Sequence, residues 1–154
     1  MRCEVLCIAR RPPAWVAEVT AEYTKRLGRA LELSFRLLAP GPDNTSVDAR
    51  KRDEAQRLLK ARAAGSLLVA LDEHGREHTS AELSARLEAW RTRGQDLCLA
   101  IGGADGHGPA VLEAAAESWS LSRLTLPHQM VQVIVAEQLY RALSMLEGHP
   151  YHRA

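Results

Sequence analysis

The sequence has almost no net charge. Its 154 residues carry 20 Lys and Arg against 19 Asp and Glu, a formal +1 at pH 7, which disfavours a histone-like or polybasic nucleic-acid binder. No run approaches the ~18 apolar residues that span a bilayer. The start, Met1-Arg2-Cys3-Glu4, lacks a signal peptide's charged-then-apolar layout, so a cytoplasmic protein is expected. There are only three cysteines. Cys3 and Cys7 share an apparent strand that would hold them ~13 Å apart, beyond the ~7 Å reach of a disulfide. With no C-x-x-C spacing, buried thiols are expected rather than a redox or zinc site.

Several catalytic signatures are missing as well. No G-K-[ST] follows the glycines, there is no G-x-S-x-G, and Asp72 stands alone at a strand end, so neither nucleotide hydrolysis nor serine-nucleophile chemistry is indicated. A Rossmann domain demands a glycine loop after its first strand; that position reads Arg10-Arg11-Pro12-Pro13. His74 and His78 are four apart but flank Gly75, which is expected to sit in a turn and so to deny them the helix of an H-x-x-x-H zinc site. His149-x-x-His152 has no evident third ligand, and no metal is expected.

What is present is an ordinary globular composition, 46% hydrophobic and 25% charged, at a length that suits one domain over residues 1–154. The small charge is an average. Residues 1–62 hold thirteen basic and eight acidic side chains, a balance of +5, whereas residues 63–154 hold seven and eleven, a balance of −4. Either the two parts face different partners or their helix faces are simply solvated.

Apolar patterning alternates between the two periods. Strands are expected over Cys3 to Ala9, Ala30 to Leu38, Ser66 to Leu71, Leu97 to Ile101 and Ser118 to Leu121, several of them continuous apolar runs typical of buried parallel strands. A helix carrying Val16, Val19, Tyr23 and Leu27 on one face should stop at Gly28, and a charged helix should run from about Ser46 to Arg62. Thr79 with Glu82 forms a capping box ahead of Leu83, Leu87 and Trp90, a stripe that ends at Gly94. A short helix should follow Pro109, and a last one should run from about His128 to Leu146. Its first half, MVQVIVA, is apolar on nearly every side and should be packed all round. Together these predict an α/β fold with a mostly parallel sheet flanked by helices.

Three stretches are uncommon: Ile101-Gly102-Gly103-Ala104-Asp105-Gly106, then Trp119-Ser120-Leu121-Ser122-Arg123-Leu124-Thr125-Leu126-Pro127-His128, then Gly148-His149-Pro150-Tyr151-His152-Arg153. Glycines at the carboxyl end of a parallel strand permit close backbone approach to a ligand, or only a tight turn. The middle stretch is either a plain strand and turn or an extended backbone between apolar walls that reads a base edge. The order of these stretches, together with Glu137-Gln138-Leu139-Tyr140-Arg141-Ala142, resembles the ribosomal RNA large subunit methyltransferase H family of the SPOUT superfamily across essentially the whole chain.

The resemblance implies a C-terminal trefoil knot, a homodimer, S-adenosyl-L-methionine as cofactor, and N3-methylation of a pseudouridine of 23S rRNA in the assembled ribosome. It implies that Leu71, Gly102, Gly103 and Leu121, Ser122, Arg123, Leu124, Thr125 and Leu126 surround the cofactor, with the apolar half of the last helix buried in the knot and against the partner subunit. His128, Tyr151, His152 and Arg153 are then candidate catalytic residues, for orienting the base, taking its proton or stabilising charge. RNA contacts are expected from Arg10, Arg11, Arg50, Lys51 and Arg52. Two departures stand out: the segment after the second strand, glycine- and lysine-rich in many members, reads Pro40-Gly41-Pro42-Asp43-Asn44, and Arg10 replaces a smaller residue. The competing classes are a non-catalytic RNA-binding module and a small-molecule enzyme that uses the glycine loop for another nucleotide.

Overall fold

The continuous apolar runs do become buried parallel strands. In a computed structural model, which describes the backbone of residues 1–153 and the side chains of residues 1–151, β1 (Arg2–Ile8), β2 (Glu32–Leu38), β3 (Leu67–Glu77), β4 (Leu97–Ile101) and β5 (Glu117–Ser120) form one sheet. The order is β2-β1-β4-β3-β5, with every neighbouring pair parallel. Period-two alternation divides the strands between two cores. Cys3, Val5 and Cys7 of β1 join Leu97, Leu99 and Ile101 of β4 on one face, while Leu6, Ile8, Cys98 and Ala100 serve the other.

Helices α1 (Ala14–Leu27), α2 (Val47–Ala61), α3 (Ser80–Thr92) and α4 (Pro109–Ala114) connect the strands, α5 (His128–Leu146) follows β5, and a 3₁₀ turn spans Pro150–Arg153. The α5 helix packs between α1 and α3 on the first core, and α2 packs with α4 on the second. The capping box at Thr79 and Glu82 is formed, and Leu83, Leu87 and Trp90 are buried as their spacing predicts. Ser84 Oγ donates to the buried carbonyl of Ala142 at 2.9 Å, which ties α3 to α5. All three cysteines are free and buried. Burial pushes the Cys98 thiol up to about 11 and the Cys7 thiol up to about 12, so neither is a thiolate nucleophile at neutral pH.

One expectation fails. The third strand does not end at Leu71 in a turn around Gly75: β3 continues through His74 and Gly75 to Glu77. The extension exists because β5 pairs with β3 twice, Val69–Leu71 with Glu117–Trp119 and, past an irregularity, Arg76–Glu77 with Trp119–Ser120. A Cβ at Gly75 would lie 2.6 Å from the carbonyl carbon of Trp119, so this glycine marks close strand approach rather than a reversal. The first half of α5, expected to pack within the knot and against a partner subunit, is partly covered by its own protomer. Gln132, Val135 and Ala136 are buried, but Met130 is 40% exposed and Val131, Val133 and Ile134 are half-buried.

Among the described residues no helix is long and apolar enough to cross a membrane, and no group of three or more His, Cys, Asp or Glu is placed to hold a metal. Gly75→Ala should force β3 and β5 apart at a cost typical of overpacking, about 1–3 kcal/mol. For a domain of this size that corresponds to a melting temperature lower by roughly 3–10 °C, measurable by calorimetry; an unchanged melting temperature would refute the close-approach account.

Candidate active site

At the carboxyl ends of β3 and β5, beneath α3 and α5, the chain leaves a cavity of about 350 Å³. Its apolar lining includes Leu71, Leu83, Trp119, Leu121 and Ile134, and its polar lining comes from His78, Thr79, Ser80, Ser120 and Gln138. Among the described residues no charged side chain lines it. The strand crossing at Gly75 shapes one wall. Trp119 stacks on Trp90, with ring centroids 5.6 Å apart and planes 19° apart, and receives the edge of His78 at 5.3 Å and 66°. Trp119 Nε1 donates to Glu117 at 2.8 Å, and Glu117 is itself paired with Arg86.

The residues singled out in the sequence fall into distinct positions. Leu71 and Leu121, fifty residues apart in the chain, meet in the cavity. Past Leu121 the loop turns outward. Ser122 Oγ accepts from the Leu124 N–H at 3.0 Å, Arg123 approaches Glu77 at 3.5 Å, and Thr125 Oγ1 donates to Glu73 at 3.4 Å. Leu124 is 75% exposed, while Ser122 and Leu126 are half-buried. Gly102 and Gly103 stand at the end of β4 and do not line the cavity.

The sequence leaves those glycines either a ligand's close approach or a tight turn, and the structure shows what packs against them within the protein. A Cβ at Gly102 would meet the carbonyl carbon of Gly106 at 2.9 Å, and one at Gly103 would meet Glu54 Oε2 at 2.7 Å. The loop folds back on itself, with Gly106 N–H donating to the Gly103 carbonyl at 3.0 Å, and α2 presses on it from below. Arg50 holds Asp105 through Nε and Nη2, both at 2.7 Å. Glu54, 4% exposed, accepts from the Gly41 N–H at 2.9 Å. His107, also buried, has Nε2 within 3.1 Å of the Ala100 carbonyl. Burial lowers its pKa, so the ring is neutral and donates to that carbonyl.

The remaining candidates separate further. Arg50, expected at RNA, is spent on Asp105 with its side chain only 19% exposed, so a phosphate contact would require breaking that pair. Arg10, Arg11 and Arg52 are exposed, and Lys51 is half-buried. The approach of Arg10 to Asp43, at 3.7 Å between side chains more than 80% exposed, leaves it available. His128 is the first residue of α5, six residues before the cavity-lining Ile134 and therefore ~9 Å from it along the helix axis.

Tyr151 docks on its own protomer. Its hydroxyl lies 3.1 Å from that of Tyr23 and donates to Glu137 at 3.3 Å, and its ring packs edge-on to Tyr140 with the Arg141 guanidinium 5.2 Å from the ring centroid. Burial, then the Tyr23 hydrogen bond and the negative charge of Glu137, hold this phenol well above its ordinary range; it is a neutral donor, not a base. His152 and Arg153 belong to the 3₁₀ turn, and their side chains lie outside the described residues. A hydrogen-bond chain joins cavity and tail, since Ser80 Oγ donates to Gln138 Oε1 at 2.7 Å and Gln138 Nε2 donates to Glu137 at 2.6 Å.

Comparison with known proteins gives this geometry a family. A family model described as "Predicted SPOUT methyltransferase" matches residues 1–152. The chain belongs to the SPOUT methyltransferase family. Curated proteins called "Ribosomal RNA large subunit methyltransferase H" from Xanthomonas oryzae pv. oryzae and Xanthomonas campestris pv. campestris are each 47% identical to it over 156 aligned positions, covering 100% of both chains. The protein of that name from Xanthomonas euvesicatoria pv. vesicatoria is 46% identical over the same coverage.

Sequence reasoning passed over His78, Ser80, Ile134 and Gln138. Gln138 had a signal, being an uncharged polar residue next to the apolar half of a helix. His78 had none, because the residues around it read as a turn. Arg50→Ala and Asp105→Ala should each loosen the glycine loop and speed amide hydrogen exchange over residues 102–108, on the order of tenfold. The double variant should exchange no faster than either single one, because both remove the same interaction.

Proposed function

We propose that this chain, as one domain over residues 1–154, is a cytoplasmic S-adenosyl-L-methionine-dependent methyltransferase that acts on N3 of a pseudouridine of 23S rRNA in the assembled ribosome. The carrying observation is that Leu71, within β3, and Leu121, just past the end of β5, are both expected at the cofactor and converge on one cavity lined, among the described residues, by uncharged side chains. The full-length similarity to proteins named for a large-subunit rRNA activity supports the substrate class.

The residues present fit the cofactor. Apolar walls suit a nucleobase, no cationic side chain among the described residues lines the cavity to repel a sulfonium at its mouth, and the buried, unpartnered ring nitrogens of His78 leave hydrogen-bonding capacity for a ligand. Leu71 and Leu121, with the loop over residues 122–126 and the Gly102-Gly103 turn beside it, would hold the group. When bound, it supplies a methyl carbon attached to sulfur for transfer to a ring nitrogen.

The protein's own contribution is mainly positioning, which can supply several kcal/mol by holding reactants in a near-attack geometry. The N3 proton must leave, and charge developing on the flanking carbonyls needs donors. Tyr151, neutral and anchored, is suited to donate. His128 stands at the start of α5 as the candidate to orient the base or accept the proton, and His152 and Arg153 complete the tail. Arg10, Arg11, Lys51 and Arg52 offer cations to RNA phosphates, while Arg50 acts as a strut beneath the loop.

A homodimer accounts for the half-bare apolar start of α5 and for Trp15, which is 45% exposed. The trefoil knot expected of this family would involve the same C-terminal stretch. In that dimer the tail, anchored at Tyr151, would serve the partner subunit's site.

Incubating the protein with methyl-labelled S-adenosylmethionine and unmethylated ribosomes should place label on a single pseudouridine of 23S rRNA, mapped by nuclease digestion and mass spectrometry. Label on protein alone, or none, would overturn the reading. Deleting residues 151–154 should reduce transfer at least a hundredfold while leaving S-adenosylhomocysteine affinity within about twofold of the full chain, the pattern expected when a group acts on the transition state and not on cofactor binding.

A further inference from the structure

The cavity contains five polar residues, and four of them are already engaged. Thr79 Oγ1 accepts from the Glu82 N–H at 3.2 Å, Ser80 donates to Gln138 at 2.7 Å, Gln138 donates to Glu137 at 2.6 Å, and Ser120 Oγ donates to the Ser122 carbonyl at 2.9 Å. His78 is the exception: Nδ1 and Nε2 are both buried and neither has a partner. A neutral imidazole carries one donor and one acceptor. Leaving both unused away from water is the kind of cost that native structures rarely bear without a reason.

The surroundings keep His78 neutral. Burial disfavours the imidazolium, and the nearby Arg86 and Arg76 outweigh Glu82 and Glu117 in the same direction. The ring therefore retains a lone pair as well as an N–H, and with either tautomer available it can meet a donor or an acceptor. Trp119 supports its edge at 5.3 Å. As the ring stands both nitrogens are turned away from open space, so a ligand meets one of them only when the ring turns about its broad second torsion, which exchanges ring carbons for nitrogens. The volume of about 350 Å³ sits at the small end of ligand pockets, roughly 300–1,000 Å³. It suits a planar base and its immediate attachment rather than a whole nucleotide cofactor.

We propose that His78 is the specificity-determining residue of this cavity, its imidazole accepting a hydrogen bond from the exocyclic 6-amino group of the cofactor's adenine. The assignment rests on the cofactor reading given above and extends it to which part of the cofactor enters the cavity and what recognises it. Ser80 and Gln138 are held in place by the hydrogen bonds they already make, whereas His78 is the polar side chain lining the cavity that makes no hydrogen bond at all.

A thermodynamic cycle between residue and ligand tests this by calorimetry, with no need for turnover. The probes are S-adenosylhomocysteine and its analogue with hydrogen in place of the 6-amino group. The wild-type protein should prefer S-adenosylhomocysteine about tenfold, the size of one well-made hydrogen bond. His78→Phe, which keeps a flat ring against Trp119, should bind both probes alike. His78→Gln, which retains a donor and an acceptor, should recover part of the preference and serves if the Phe variant folds poorly. Equal preference in the wild-type protein and His78→Phe would overturn the assignment of His78 while leaving the cofactor reading intact. Failure of the wild-type protein to bind either probe would overturn both.

Discussion

The close passage of β5 across Gly75 is the constraint on which the candidate site depends. A parallel edge strand needs a partner of matching length, and β5 has only four residues, Glu117–Ser120. It gains a second segment of pairing because β3 continues past its apolar run and shifts register between Leu71 and Arg76. Only a residue without a Cβ tolerates the backbone of Ser118 and Trp119 at under 3 Å from where that atom would be. The crossing fixes Trp119 between Trp90 and His78 and delivers Leu121 opposite Leu71. The cavity is thus a product of strand geometry, and its polar content follows from which residues the extended β3 carries to the rim.

The second support is α2, whose exposed composition disguises a structural role. Arg50 and Glu54, one helical turn apart, face the same way. Arg50 holds Asp105 of the glycine loop, while Glu54 holds the Gly41 N–H of the turn before the helix and presses against Gly103. Arg50, Lys51 and Arg52, expected to touch RNA, and the loop expected to touch the cofactor are therefore bolted to one helix. Displacing α2 cannot leave the loop unchanged, since Glu54 lies against the position a Cβ would take at Gly103 and Arg50 holds Asp105.

Much of this fold was legible in the residues. Leu97–Ile101 and His128–Leu146 fall where their apolar periods place them, and the capping box at Thr79 starts α3 where expected. What failed had physical causes. Gly75 reads as a turn in any local window, because the backbone that requires it lies more than forty residues downstream. Arg50 reads as a solvated cation until Asp105 is brought to it, and no local window shows that the glycines of residues 102–106 pack against their own loop and Glu54. The site itself was half legible: Leu71 and Leu121 announced themselves through a recognisable pattern, whereas His78 belongs to no motif and gains meaning only from having no partner.

The same logic connects the charge asymmetry to the site. The basic excess lies in residues 1–62, which form the first two strands and helices, and the acidic excess lies in the part that builds the cavity and the tail anchor. Yet no charged side chain among the described residues lines the cavity. Its acids stand one layer back, where Glu117 is paired with Arg86 and Glu137 is shared between Arg141, Gln138 and Tyr151. A cationic ligand in such a cavity would meet walls without cations and carboxylates whose charge is locally neutralised, so long-range attraction would contribute little and shape and hydrogen bonding would decide what binds. That places the burden of recognition on the few polar atoms that reach the cavity, and among them the imidazole of His78 is the one whose bonds are not already made within the protein.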